Sequence, residues 1–191
     1  MNPNGEVVQE NYSGIATVNG HSYANYKTPN TNFALLVSEK FTEPFKEPIQ
    51  YGQHIARLAN MLGGGILVQR FGDLLEGRRS TPERIASSVI TPTLTCATPG
   101  DLSLVIPYRQ MTSIIEMLQA LDKIAPGTAS RYTLLYGIEV KFYSARVKLT
   151  QQLETEGVKN LFTIGDGAGV TRGLLQASAS GVYVARTICE R

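Results

Sequence analysis

The sequence feature that most constrains this chain is a short apolar run that ends in a glycine-rich turn and leads into a helix-like segment. Residues 160–164 (NLFTI) predict a strand, Gly165–Gly169 (GDGAG) predicts a turn, and residues 173–190 predict a helix. Glycines let a backbone approach a ligand closely, and the first N–H groups of a helix carry partial positive charge. With Asp166 at the carboxyl end of the strand, the segment has the parts of a site for an anion or a polar cofactor edge.

An alternative interpretation is an ordinary strand-to-helix turn in which Asp166 caps the helix. Thr171 and Arg172 follow at the predicted helix start, where they either orient it toward a ligand or face solvent. One strand and one helix cannot form a sheet or cover their own apolar faces. We therefore expect this unit to pack against a further structural element.

The preceding residues alternate loosely between strand and helix patterns, without glycine-loop βαβ units. This pattern favours an α+β domain with a mixed or antiparallel sheet. Apolar residues at helical spacing predict helices over 49–62 and 110–124. Asn19-Gly20 predicts a hairpin turn, and residues 33–38 (FALLVS) predict a buried strand.

Composition removes several classes of protein from consideration. Hydrophobic residues make up 42% of the chain and charged residues 18%, which is typical of globular proteins rather than disordered ones. The net charge of +2 gives no reason to expect a nucleic-acid partner. No apolar run approaches the ~20 residues of a membrane span, and the N-terminus lacks a signal-peptide pattern. Cys96 and Cys189 have no metal-binding spacing, so we expect no metal site and a cytoplasmic location.

The C-terminal run NLFTIGDGAGVTRGLLQASASGVYVAR resembles the flavin-binding segment of uncharacterised FAD-dependent dehydrogenases, a branch of the two-dinucleotide-binding-domain flavoproteins. The stretches NTNFALLVS, LGGGILVQRFGDLLEGR and YGIEVKFYSARVKL resemble, in order, the substrate-side or cap region of that family. The resemblance implies that the carboxylate of Asp166 accepts a hydrogen bond from a ribityl hydroxyl of FAD. The cofactor-binding residues that it implies are Gly165, Asp166, Gly167, Ala168, Gly169, Thr171 and Arg172.

Flavoproteins of this kind begin with a strand followed by Gly-x-Gly-x-x-Gly, which holds the FAD pyrophosphate. That motif does not occur here, and Gly63-Gly64-Gly65 has the wrong spacing and follows a helix-like segment. We therefore expect the chain to be the C-terminal portion of a longer FAD-dependent oxidoreductase. In that hypothesis residues 1–158 form the substrate cap, and residues 159–191 form one strand and helix of a Rossmann-like FAD-binding domain.

Several expectations about partners follow from this hypothesis. FAD should bind the intact protein and be absent from this chain alone, which is then inactive by itself. The expected partners are the FAD domain missing from this chain, a small-molecule substrate and, through the exposed C-terminal unit, a second copy. The alternative function is a stand-alone, non-catalytic ligand- or protein-binding domain derived from such a flavoprotein.

Three residues are candidates for catalysis. His21 lies in a turn-like stretch and is a candidate proton donor or acceptor over the reacting edge of the flavin. Glu139 and Arg146 lie on and after a strand predicted over residues 133–142, with Lys141 between them. They either form ion pairs on a strand face or make a polar cluster in which Arg146 holds a substrate anion.

Overall fold

The computed structural model describes residues 2–140 and 146–190. Helices and small sheets are both present, so the α+β class is confirmed. The chain divides into an N-terminal unit, residues 1–140, and a C-terminal unit, residues 141–191. The functional boundary expected between residues 158 and 159 stays a prediction. Lys141 lies outside the described residues.

The N-terminal unit opens with a long hairpin. Its first four strands are β1 (Asn2–Pro3), β2 (Glu6–Tyr12), β3 (Ile15–His21) and β4 (Thr31–Asn32). Strand β2 pairs antiparallel with β3 over seven residues each, and β1 pairs with β4. The turn falls at Ser13-Gly14, where both residues have positive φ (50° and 79°), as a tight hairpin turn requires. The turn predicted at Asn19-Gly20 is wrong, because both residues lie within β3.

A second sheet is centred on β5. Its strands are β5 (Leu67–Arg70), β6 (Thr98–Pro99) and β7 (Leu134–Gly137). Strand β5 pairs parallel with β6 on one side and antiparallel with β7 on the other. Beyond β7, the N–H of Val18 donates to the carbonyl of Ile138 at 3.1 Å, which links the hairpin to the end of this sheet.

The N-terminal unit has four helices in the described residues, and the two long ones lie close to the predicted positions. The two long ones confirm the predictions from apolar spacing, and the first ends at Gly64, whose φ of 68° is the left-handed conformation that commonly ends helices. A 3-10 turn at Leu102–Leu104 precedes the last of them. The helices of this unit are α1 (Pro48–Gly63), α2 (Phe71–Leu75), α3 (Pro82–Ala86) and α4 (Tyr108–Asp122).

The core lies where α1, α2 and α4 meet the sheet. Phe71, Leu118 and Leu67 are at most 3% exposed. Phe33 and Leu35 pack on this cluster from a segment without regular structure, so the strand predicted over 33–38 is wrong. Alternate residues of the segment reach the core, as in a strand. Leu36, however, is 54% exposed, and no strand of the described residues pairs with it.

The C-terminal unit contains one long helix, α5 (Leu174–Cys189), as predicted. The strand predicted over residues 160–164 is reduced to one bridge between Phe162 and Glu154. Leu161 and Ile164 are 46% and 45% exposed. A strand needs a neighbouring strand to satisfy its backbone, and within the described residues this run finds a partner only at that bridge.

Phe71 provides a test of the core. Replacing the 1%-exposed Phe71 by Ala should lower the free energy of unfolding by about 3–5 kcal/mol, because it removes apolar contacts and leaves a cavity. Leu75→Ala on the same helix is the matched control, since Leu75 is 51% exposed, and should cost much less. Chemical denaturation of both variants measures the difference, and equal losses would contradict the described core.

Candidate functional site

The GDGAG segment forms a tight loop rather than the end of a strand. Gly165 has φ 71° and ψ −164°, a conformation that is almost exclusive to glycine. Residues 166–168 form one 3-10 turn, and Gly169 follows in the left-handed conformation with φ 70°. A Cβ atom built on Gly167 would have no neighbour within 4 Å, so the loop backbone is open on that side.

The carboxylate of Asp166 is exposed and organises the approach to α5. Its Oδ1 atom accepts a hydrogen bond from Thr171 Oγ1 at 2.6 Å and one from the Gly173 N–H at 3.4 Å. Gly173 is the N-cap residue of α5 and has no side chain with which to cap the first N–H groups of the helix. Asp166 therefore fixes the loop that leads to the helix start.

The side of α5 that packs inward is built from small residues. Ser180 Oγ accepts a hydrogen bond from the Gly165 N–H at 3.0 Å, and Val184, one turn further on, is buried. A Cβ atom on Gly181 would lie 3.6 Å from Ile164. That distance is an ordinary van der Waals contact, so α5 lies close to the residue that precedes the GDGAG segment.

Several large apolar side chains of α5 are exposed. Leu174 and Leu175 are 90% and 84% exposed, and Val182 and Ile188 are each about half exposed. These four residues are called the outer face of α5 below. A cluster of exposed apolar side chains on one helix is the usual sign of a surface that packs on something else.

His21 lies at the end of β3 in the N-terminal unit, beside a carboxylate. Its Nε2 atom is 3.9 Å from Glu10 Oε1, and its ring stacks on Tyr23 with centroids 5.9 Å apart. Glu10 also accepts hydrogen bonds from Asn19 Nδ2 at 2.9 Å and from Tyr12 Oη at 2.8 Å. Sequence reasoning missed Glu10, although pairing Glu10 with Thr17 places it diagonally near Asn19.

The other two catalytic candidates fall in different units. Glu139 is half-buried in the N-terminal unit, just after β7. Arg146 belongs to the C-terminal unit, where it lines a cavity of about 370 Å³ with Lys148 and Glu156. His21, Glu139, Arg146 and the GDGAG residues thus remain predictions as site residues.

Among the described residues, the N-terminal unit also contains a buried polar cluster that the sequence analysis did not predict. It surrounds Asp73, which is 1% exposed and accepts hydrogen bonds from Arg78 Nε at 2.9 Å and Ser80 Oγ at 2.8 Å. Arg70 Nη1 lies 4.0 Å from the same carboxylate, and its guanidinium stands 5.2 Å from the ring centre of Tyr132. The sequence signal was an acidic residue flanked by two arginines and a serine within QRFGDLLEGRRS.

Competing effects set the charge state of Asp73. Burial raises the pKa of its carboxyl group, but hydrogen bonds from Ser80 and Arg78 and the charges of Arg70 and Arg78 outweigh burial. The net result is a pKa below the ordinary value of 3.8. Asp73 is therefore ionised at neutral pH and holds the turn that carries Arg78 and Ser80.

Among the described residues, no three His, Cys, Asp or Glu side chains lie together as metal ligands would. In the same part of the chain, none of the helices combines the length and apolar character that crossing a bilayer requires.

Comparison with known proteins identifies the family. Residues 1–142 match the family described as "FAD-dependent protein, C-terminal domain-like". An uncharacterized protein from Clostridium beijerinckii (strain ATCC 51743 / NCIMB 8052) is 32% identical over 203 aligned residues. That alignment covers 100% of this chain and 37% of the clostridial protein, so the chain spans little more than a third of its relative. The chain belongs to the C-terminal domain-like family of FAD-dependent proteins.

Asp73 gives a prediction with a pH dependence. Asp73→Asn should lower the free energy of unfolding at neutral pH by about 3 kcal/mol, because it leaves buried guanidinium charge without its carboxylate. A carboxyl group whose pKa is lowered by folding stabilises the fold above its unfolded pKa of about 4, and this contribution is lost as the pH falls through the folded value. The gap between variant and wild type should therefore narrow on acidification below that pH.

Denaturation curves at several pH values measure this gap. Glu116→Gln on α4 is the control, because Glu116 is exposed and its neutralisation should change stability little at any pH. A wild type and Asp73→Asn variant of equal stability at neutral pH would contradict the described cluster.

Proposed function

We propose that this chain is the C-terminal, substrate-side portion of an FAD-dependent oxidoreductase that acts on a small organic molecule. The observation that carries the proposal is the match of residues 1–142 to the C-terminal domain of FAD-dependent proteins. The length of the clostridial relative supports it, since most of that protein lies outside the aligned region. FAD would supply the redox chemistry, and the protein would supply binding, orientation and polarity.

The GDGAG loop fits the ribityl and pyrophosphate region of such a cofactor. The carboxylate of Asp166 is exposed, and carboxylate oxygens accept hydrogen bonds from hydroxyl donors such as those of the ribityl chain. The open side of Gly167 allows a ligand to reach the backbone, and the uncapped start of α5 favours a nearby phosphate. Arg172 adds a positive charge next to this start.

The outer face of α5 supports a proposal about partners. In this hypothesis Leu174, Leu175, Val182 and Ile188 pack against the FAD-binding part of the longer protein. Burial of large apolar side chains removes their surface from water and stabilises the docked arrangement. In the absence of that part, a second copy of the chain is the next apolar surface available.

His21 is the proposed proton-transfer group on the substrate side. Its neighbour Glu10 is fixed by Asn19 and Tyr12, so the carboxylate is held close to the imidazole. Histidine exchanges protons readily near neutral pH, and an oriented carboxylate is the common means of holding such a ring. Glu139 and Arg146 are proposed to contribute further polar contacts to the substrate.

The first experiment tests flavin binding through Asp166. The gene is expressed with its upstream reading frame, and the product is purified and examined for flavin absorbance. Asp166→Asn should weaken FAD binding about tenfold or more, because it removes a charged acceptor. Thr171→Val is the matched variant that loosens the loop but keeps the carboxylate, and Glu116→Gln is a distant charge control.

The upstream frame also separates the two functions. A strand–helix unit with Gly-x-Gly-x-x-Gly, together with bound flavin, supports the oxidoreductase. A stop codon and an independent promoter, or a longer protein that purifies colourless and takes up no FAD, overturns the proposal in favour of a stand-alone binding domain.

A second experiment tests the outer face of α5. The 191-residue chain should self-associate at high concentration, and the double variant Leu174→Glu, Leu175→Glu should be monomeric. Acidic residues are favourable in the first turn of a helix, so the double variant should keep α5 intact. Gln176→Glu adds charge in the same turn without removing apolar surface and should still associate. Analytical ultracentrifugation measures this, and a wild type that stays monomeric contradicts the proposal.

A further inference from the structure

We propose that the cavity of the C-terminal unit binds an organic carboxylate with an apolar body. The cavity has a volume of about 370 Å³, within the range of small-molecule sites. Charged and apolar side chains both line it, so the cavity offers a polar end and a surface for a hydrocarbon group. The residues that carry the argument are Arg146, Lys148, Leu149, Leu153, Glu156 and Val170.

The charges of the lining select the sign of the ligand. Arg146 and Lys148 are positive and Glu156 is negative, so the three ionisable groups sum to one positive charge. Within the part of the chain that the structure describes, neither Arg146 nor Lys148 forms a salt bridge. A guanidinium presents a planar pair of donors that matches a carboxylate. One net positive charge suits a monoanion better than a doubly charged phosphate.

The apolar part of the lining requires a ligand with an apolar body. Leu149 and Leu153 are half-buried, and Val170 is 37% exposed. An inorganic anion would leave these side chains in contact with water. An aliphatic or aromatic group attached to the carboxylate would cover them and gain the free energy of apolar burial.

Backbone hydrogen bonds hold the segment that follows Arg146 and carries Lys148. The Glu156 N–H donates to the Lys148 carbonyl at 3.0 Å, and the Thr150 N–H donates to the Glu154 carbonyl at 2.8 Å. Leu149 forms a bridge with Thr155 between these two bonds. The segment that follows Arg146 is therefore fixed before a ligand binds, which reduces the entropy lost on binding.

The cavity lies next to the GDGAG loop. The Val147 N–H donates to the Ala168 carbonyl at 3.2 Å, and Val170 follows directly after Gly169. A ligand in this cavity would thus lie beside the loop that is proposed to face FAD. That the carboxylate is the substrate of the oxidoreductase rests on the proposed function, whereas the binding site itself rests on the cavity and its charges.

The test uses the 191-residue chain and two probes, hexanoate and its neutral analogue hexanamide. Titrations followed by the amide chemical shifts of residues 146–156 and 168–170 should show saturable hexanoate binding and much weaker hexanamide binding. Arg146→Gln and Lys148→Gln should each weaken hexanoate binding about tenfold. Arg186→Gln is the control, because Arg186 is an exposed cation on α5, and it should bind hexanoate like the wild type.

Each other outcome counts against the assignment. Equal binding of hexanoate and hexanamide, no saturable shift in these segments, or tighter binding of inorganic phosphate than of hexanoate would overturn it. Because the titration contains no flavin, its failure leaves the FAD test on Asp166 unaffected. Conversely, a longer protein that takes up no FAD would overturn the oxidoreductase while hexanoate binding to this cavity stood.

Discussion

The complete burial of β5 is the constraint on which the N-terminal unit depends. All four residues of this strand are buried, and two of them, Gln69 and Arg70, are polar. A buried polar group without a partner costs free energy, so the surrounding loops must come to the strand. Gln69 accepts from the Leu102 N–H at 2.8 Å and donates to the Arg78 carbonyl at 2.8 Å. The Arg70 N–H donates to Ser80 Oγ at 2.8 Å.

These bonds join the hydrophobic core to the Asp73 cluster. Leu67 packs into the core from one end of β5, and Ser80 connects the other end to the buried carboxylate. The loop before α4 and the turn before α3 are thereby held by the same strand. The C-terminal unit has a different organisation, since the buried residues of α5 are only Ser180 and Val184. Its most exposed apolar side chains, Leu174 and Leu175, lie on α5, and the proposed docking on the FAD-binding part would bury them.

Local patterns in the sequence predicted the three long helices and the strand β7, but two other predicted strands are wrong or reduced to a bridge. Helix α4 needs only apolar residues at helical spacing and its own backbone hydrogen bonds, so a single segment contains the information. A strand depends on a neighbour. Residues 33–38 and 160–164 have apolar runs typical of strands, but each finds little or no pairing partner in the described chain. The Asn19-Gly20 signal failed because Ser13-Gly14 supplies the positive φ values of the turn.

Predictability of the candidate site follows the same division. Arg146 was a candidate either for an ion pair or for holding an anion, and it lines a cavity with a second cation. The Asp73 cluster lies almost wholly within residues 69–80, but the spacing of its charges does not show that the carboxylate is buried. Of the two interpretations of Asp166, the structure shows the carboxylate organising the start of α5 through Thr171 and Gly173, and the flavin contact stays a prediction. The family match ends at residue 142, so it covers the N-terminal unit and stops before the GDGAG loop. The proposed contact of that loop with FAD therefore depends on the geometry of the loop and on the carboxylate of Asp166.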